Sequence, residues 1–202
     1  MTKIKLCGLS RPCDIYAVNA LNPEYIGFVF AKKSKRYVSP SKAAELKQLL
    51  SPGIKAVGVF VNEDPERIAR LLQNGTIDMA QLHGDEDEVY IARLRSLTPK
   101  PIIKAFPIVH AGDMVKAGQS TADFVLLDSG AGTGTVFDWK LIEGFNRPYF
   151  LAGGLSADNV GAAVDALHPY AVDVSSGIET NGYKDQIKMA AFAAAVRKED
   201  RI

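Results

Sequence analysis

At 202 residues, with 47% hydrophobic and 23% charged residues, the chain has ordinary globular proportions and a length that suits one domain, which excludes disorder and collagen-like repeats. Its 24 Lys and Arg against 23 Asp and Glu leave a formal net charge of +1, so no global field draws it to nucleic acid or an acidic membrane, and any anion site must be local. No stretch approaches the roughly 18 uninterrupted apolar residues of a membrane span, which favours a cytoplasmic enzyme.

Short β-type runs alternate with helical stretches along the whole chain. The first strand covers residues 4–7 and a helix follows over 12–21; a strand at 25–30 then leads to a helix at 41–50. Strand 54–61 is followed by helix 65–72, strand 79–83 by helix 86–97, and strand 101–106 by an abbreviated fifth helix near 111–117. Strand 124–128 precedes a helical segment at 141–145, strand 149–152 precedes helix 157–167, and strand 171–175 precedes a last helix at 186–197. About eight β/α units result, the number of a single-domain (β/α)8 TIM barrel with a shortened fifth helix, spanning 1–202. An open doubly wound sheet would alternate in the same way. The polar residues at strand ends favour closure: Cys7, His83, Asp128, Gly153-Gly154 and Ser175-Ser176 all fall where a strand meets the next loop, the rim on which barrels build active sites. Helix starts are marked by Ser39-Pro40, Asp64-Pro65 and Ser156-x-x-Asn159.

Two glycine-containing turns close the last two strands, Ala152-Gly153-Gly154-Leu155-Ser156 and Asp173-Val174-Ser175-Ser176-Gly177. Glycine lets backbone N–H groups approach an anion, serine adds hydroxyl donors, and a following helix start adds positive potential, so the pair is expected to form a phosphate cup. Either turn alone is more simply read as a tight turn; two in consecutive units are more specific. The segment Gly130-Ala131-Gly132-Thr133-Gly134-Thr135 is either a linker or a lid that folds over substrate.

Strand alternation sets Lys5 with Cys7, Gln81 with His83, Leu126 with Asp128, and Asp173 with Ser175 on common faces. If the upper members face inward, a thiol, an imidazole and a carboxyl share one mouth, and a thiol and a carboxyl can divide proton abstraction and donation between them, as an isomerisation requires. The plainer readings are a buried apolar thiol for Cys7 and a cap or ion-pair partner for Asp128. Cys7 and Cys13 are too close in sequence to staple the fold and show no CxxC spacing, so both are expected as reduced thiols. Three scattered histidines argue against a metal centre, and His110 and His168 receive no role.

Six blocks in order, Lys5-Leu6-Cys7-Gly8-Leu9, Ser34-Lys35-Arg36-Tyr37-Val38-Ser39, Gly58-Val59-Phe60-Val61-Asn62, Gln81-Leu82-His83-Gly84, Phe137-Asp138-Trp139 and Asp173-Val174-Ser175-Ser176-Gly177-Ile178-Glu179, resemble those of the phosphoribosylanthranilate isomerases over essentially the whole chain. That resemblance implies an Amadori rearrangement in tryptophan biosynthesis, of N-(5-phosphoribosyl)anthranilate to 1-(2-carboxyphenylamino)-1-deoxyribulose 5-phosphate, with no cofactor. By it, Asp128 is the general acid that opens the ribose ring and Cys7 the general base that removes the C2 proton. Arg36 faces the anthranilate carboxylate, which a planar fork can bind through two charge-assisted hydrogen bonds; the rest of Lys32-Lys33-Ser34-Lys35 reads as solvated charge. Gln81 and His83 line the pocket. Two positions depart from the family pattern: Ala131 replaces a usual glycine of the loop, and Cys13 sits in the first helix where acidic residues are common.

An ordinary cysteine pKa of about 8.5 leaves only a small thiolate fraction at neutrality. Lys5, one inward layer below Cys7, is the candidate for favouring the anion, with Asp173 on the last strand as its counter-ion. Alternatives keep the barrel but assign another phosphosugar isomerase or epimerase, or a phosphosugar-binding module without turnover. The partner expected is a small phosphoribosyl compound, with no nucleic acid and no membrane, bound by a monomer or homodimer.

Overall fold

A computed structural model of the chain describes residues 1–128, 141–142 and 144–199. Eight strands pair in parallel in chain order: β1 (Lys3–Cys7), β2 (Tyr25–Val29), β3 (Lys55–Phe60), β4 (Met79–Leu82), β5 (Ile102–Pro107), β6 (Phe124–Asp128), β7 (Tyr149–Ala152) and β8 (Ala171–Val174). β8 then pairs with β1, Lys5 opposite Asp173, and closes the barrel. The open-sheet alternative is thereby excluded. Among the described residues seven α-helices surround the strands: α1 (Pro12–Leu21), α2 (Pro40–Gln48), α3 (Pro65–Gln73), α4 (Glu88–Leu97), α5 (Ala111–Gln119), α6 (Val160–Leu167) and α7 (Gln186–Glu199). None of them is long and apolar enough to cross a membrane.

Strand alternation divides the core in two. Leu6, Ile26, Phe28, Ala80, Leu82, Val125, Leu127 and Val172 face outward and pack with Ile15, Val18, Leu46, Ile68, Leu94, Val164 and Phe192 of the helices. The opposite parity fills the barrel. Its floor, at the N-terminal ends of the strands, is an aromatic set of Tyr25, Phe124, Phe150 and Tyr170 with ring centroids 5.0–5.7 Å apart. Above it the interior turns polar, with Lys5, Gln81 and Asp173 buried in the middle of the barrel.

Local chemistry explains the helix starts. Ser39 accepts a hydrogen bond from the Lys42 N–H and Asp64 from those of Glu66 and Arg67, each ahead of a proline at the first helical turn. The Ser156-x-x-Asn159 signal works differently from expectation. Asn159 Oδ1 accepts from the Ser156 N–H at 2.8 Å and its Nδ2 donates to the Gly154 carbonyl at 2.9 Å, so these side chains lock a turn and α6 begins at Val160, three residues later than the sequence suggests. α5 is nine residues, two beyond the expected end and as long as α2 and α3, so it is not shortened against those neighbours. The Gly130–Thr135 segment, with Ala131, and Phe137-Asp138-Trp139 lie outside the described residues, as does part of 141–145.

One element has no counterpart in the sequence reading. After a 3-10 turn at Ser176–Ile178, β9 (Glu179–Thr180) and β10 (Tyr183–Lys184) form a small antiparallel hairpin around Asn181-Gly182, both with positive φ (53° and 80°). Asn-Gly is the strongest short-range signal for such a turn.

Candidate active site

Nine residues singled out from sequence, Cys7, Arg36, Gln81, His83, Asp128, Gly153, Gly154, Ser175 and Ser176, line one cavity of about 270 Å³ at the C-terminal mouth of the barrel. Cys7 ends β1 and Asp128 ends β6, so the two meet from different sectors of the rim.

Cys7 is buried against Val29 and Val59. Its register partner across the β1–β2 ladder is Gly27, where an added Cβ would stand 2.5 Å from the Cys7 sulfur. The glycine therefore makes the space that the thiol occupies. Beneath it the fully buried Lys5 ammonium donates to Asp173 Oδ2 at 2.8 Å, the pair expected from sequence. Burial pulls the Lys5 pKa down, but Asp173 and Cys7 together more than offset that and leave it above its ordinary value. The thiol behaves differently from the simple expectation. Burial raises the Cys7 pKa, and although Lys5 and Lys184 lower it, they do not cancel the desolvation, so the thiol ends above its usual range.

Across the mouth, His83 Nε2 lies 3.5 Å from Asp128 Oδ2, and His83 Nδ1 is 2.9 Å from the buried Gln81 amide nitrogen. If that amide donates to Nδ1, the imidazole carries its proton on Nε2, directed at Asp128. The loop that holds His83 is braced from behind: Lys104 faces the helix shell, donates to the Gly84 carbonyl at 2.6 Å and pairs with Glu86 at 3.2 Å, while Glu86 accepts from the N–H groups of Gly84 and Asn62. Both members of this ion pair are buried. Sequence reasoning missed it, although a lysine inside the apolar run of β5 was its visible trace.

Arg36 lines the same cavity, and its Nε/Nη2 edge is occupied by Glu179, at 2.6 and 2.8 Å. Among the described residues the Nη1/Nη2 end of the fork is left to meet a ligand. Glu179 also accepts from Lys184 at 2.6 Å, and Lys184 donates to the Ser175 carbonyl at 2.8 Å. Burial pushes the Glu179 pKa up, but the hydrogen bonds from Arg36 and Lys184 outweigh it and hold the carboxyl below its ordinary value. Neither Glu179 nor Lys184 was assigned a role from sequence.

The two glycine turns sit side by side. Gly153 and Gly154 have φ of 96° and 59°, and an added Cβ at Gly177 would stand 2.0 Å from the Leu155 carbonyl oxygen. The β7 and β8 turns thus touch through bare backbone, and Ser175 and Ser176 border the space beside them. Among the described residues no group of three or more His, Cys, Asp or Glu side chains is arranged to hold a metal ion.

A closed parallel barrel with a thiol, a carboxyl and two glycine–serine turns converging on one mouth is a (β/α)8 barrel of the kind that carries its active site at that rim. The family model described as N-(5'phosphoribosyl)anthranilate (PRA) isomerase matches residues 4–195, and the chain belongs to that family. It is 46% identical to the N-(5'-phosphoribosyl)anthranilate isomerase of Endomicrobium trichonymphae, over 98% of this chain and 99% of that one. Among solved structures it resembles phosphoribosyl anthranilate isomerase from Thermotoga maritima, with a TM-score of 0.91 and 35% identity over 98% of this chain and 100% of that one. A further structure of phosphoribosyl anthranilate isomerase, in complex with reduced 1-(o-carboxyphenylamino)-1-deoxyribulose 5-phosphate, matches with a TM-score of 0.88 and 35% identity over 98% of this chain and 100% of that one.

Proposed function

We propose that this chain converts N-(5-phosphoribosyl)anthranilate to 1-(2-carboxyphenylamino)-1-deoxyribulose 5-phosphate, the isomerase step of tryptophan biosynthesis, as a cytoplasmic monomer or homodimer. The observation that carries the reading is the single cavity shared by Cys7, Asp128, Arg36 and the two glycine–serine turns. The turns grip the phosphate, Arg36 meets the anthranilate carboxylate end-on, and the ribose lies between Cys7 and Asp128.

Asp128 gives its proton to the ring oxygen as the C1–O bond breaks, and the anthranilate nitrogen lone pair forms the C1=N bond of a protonated Schiff base. The Cys7 thiolate then takes the proton from C2. The freed pair forms C1=C2 while the C1=N electrons return to nitrogen, which gives a neutral enaminol. Loss of the O2 proton and protonation at C1 complete the ketone. Asp128 is a carboxylate after the first step, and the adjacent His83 Nε2 is placed to donate to it. The charge on Lys5 favours the Cys7 thiolate that the second step consumes.

The test is the loss of anthranilate fluorescence when purified protein meets N-(5-phosphoribosyl)anthranilate. Turnover supports the reading; binding of the reduced product analogue without turnover would favour a binding module, and a requirement for a divalent ion, lost on EDTA treatment, would favour an epimerase-type barrel. The phosphate assignment has its own check. Gly177→Ala forces a Cβ against the Leu155 carbonyl and separates the two turns, and overpacking of that kind costs about 1–3 kcal/mol of stability. Inhibition by inorganic phosphate should weaken by roughly tenfold in this variant, the equivalent of one lost charge-assisted hydrogen bond. Unchanged inhibition would place the phosphate elsewhere.

A further inference from the structure

Arg36 is half-exposed at the mouth of the cavity, and a side chain with so many rotamers would lose much of its entropy on meeting a ligand unless it were already held. Among the described residues its guanidinium is held from one side. Glu179 takes the Nε/Nη2 edge at 2.6 and 2.8 Å, which fixes the plane of the guanidinium and aims its Nη1/Nη2 end away from the hairpin. Glu179 is in turn fixed by Lys184, its register partner across the β9–β10 hairpin, which is buried and reaches back to both the carbonyl and the hydroxyl of Ser175. Arg36 and Lys184 converge with Ser175 over Gly8: a Cβ there would meet Arg36 Cδ at 2.5 Å, Ser175 Oγ at 3.2 Å and Lys184 Nζ at 3.3 Å. Ser175 Oγ closes the circuit by donating to the Cys7 carbonyl at 3.2 Å.

We propose that Glu179, anchored by Lys184, is a positioning residue that sets the plane of Arg36 and so determines the preference of the site for a substrate whose aromatic amine carries an ortho-carboxylate. This deepens the reading above and rests on its assignment of Arg36 to that carboxylate. Glu179 touches no substrate itself. It acts on recognition of one group at one end of the ligand, and whatever reaches Ser175 or Cys7 through Lys184 is common to every ligand and cancels from a ratio of affinities. A residue that merely stabilised the hairpin would change the binding of every ligand alike.

Two probes separate these cases: reduced 1-(2-carboxyphenylamino)-1-deoxyribulose 5-phosphate, and the same compound with a plain phenyl ring. In Glu179→Gln the amide keeps the shape but loses the charge and turns a donor toward Arg36. The Kd ratio between the probes should then fall by roughly tenfold or more, the effect of one misaligned charge-assisted hydrogen bond, while the plain-phenyl Kd stays within about twofold. Because Glu179 acts through Arg36, adding Glu179→Gln to Arg36→Met should lower the ratio no further. KM for isomerisation should rise with little change in kcat. Lys184→Met, which frees Glu179, should shift the ratio the same way, and it serves if Glu179→Gln does not fold. An unchanged ratio in Glu179→Gln or Lys184→Met, or additive losses with Arg36→Met, would overturn the proposal while leaving the activity intact. If the unmodified protein fails to prefer the carboxylated probe, the role of Arg36 fails and this inference fails with it.

Discussion

Replacing Cys7 with Ser or Asp128 with Asn is expected to lower kcat by about 10²- to 10⁴-fold, the usual worth of a positioned acid or base, with the Kd of the reduced product analogue nearly unchanged. Both substitutions keep shape and volume. Serine retains a polar tip in the space that Gly27 leaves open but does not ionise in the working range, and asparagine can donate a hydrogen bond but cannot surrender a proton. In the proposed mechanism each group is needed at a different moment of one proton-transfer sequence, so the double variant should fall far short of the product of the two single losses. The pH profile carries a sign that can be worked out. Burial raises the Cys7 pKa, so the thiolate population, and with it kcat/KM, should climb as pH increases beyond neutrality; the climb should vanish in Cys7→Ser. For stability the direction is opposite. A folded-state pKa above the unfolded value of about 8.5 means that the contribution of the thiol is present below that pH and is lost as pH rises through the folded pKa. A profile without an alkaline climb, or full activity in either single variant, would remove that residue from its assigned step.

Most of the barrel is legible in the sequence because the strands are short apolar runs, several of them followed closely by a polar residue such as Cys7, His83, Asp128 or Ser175, and because inward and outward positions alternate. Lys5 and Cys7 illustrate this: once β1 is recognised, their common face follows, and so does the need for an acid beside the buried lysine, which Asp173 supplies. Pairings that depend on loops were not legible. Nothing near Arg36 in the chain points to Glu179, 143 residues away, because the contact is created by closure of the barrel and by the β9–β10 hairpin. The Asn181-Gly182 turn was there to be read, but a two-residue strand on either side carries too little pattern to register. The direction of the Cys7 pKa shift could not be read either. Sequence placed a cation below the thiol, whereas the outcome depends on how completely Val29, Val59 and the barrel wall exclude water, a property of packing. The late start of α6 has a similar origin, since Ser156 and Asn159 fit both a helix cap and a closed turn, and the geometry of the loop after β7 selects the turn.

The Lys5–Asp173 pair is expected to show that stability and reactivity can be separated in this site. Lys5→Met removes a fully buried cation and leaves the Asp173 carboxylate without its partner inside the barrel, where the Oδ1 atom already has no hydrogen bond among the described residues. Breaking a buried pair from one side costs roughly 3–5 kcal/mol, so chemical denaturation should show a large drop in unfolding free energy. Lys5→Met/Asp173→Leu removes both charges and fills the space with apolar atoms, a change that is often neutral or stabilising, so most of the loss should return. The thiol should not follow the stability. Lys5 lowers the Cys7 pKa and Asp173 raises it, so iodoacetamide reactivity against pH should move to higher pH in Lys5→Met and to lower pH in Asp173→Asn. The double variant, stable again but without the cation, should remain slow because its thiolate is scarcer still than in the unmodified protein. If the restored double variant also restores turnover, or if the alkylation profiles of the two single variants shift in the same direction, the buried pair is a matter of packing and folding alone and the thiolate draws its stabilisation from another group, with Lys184 the next to test.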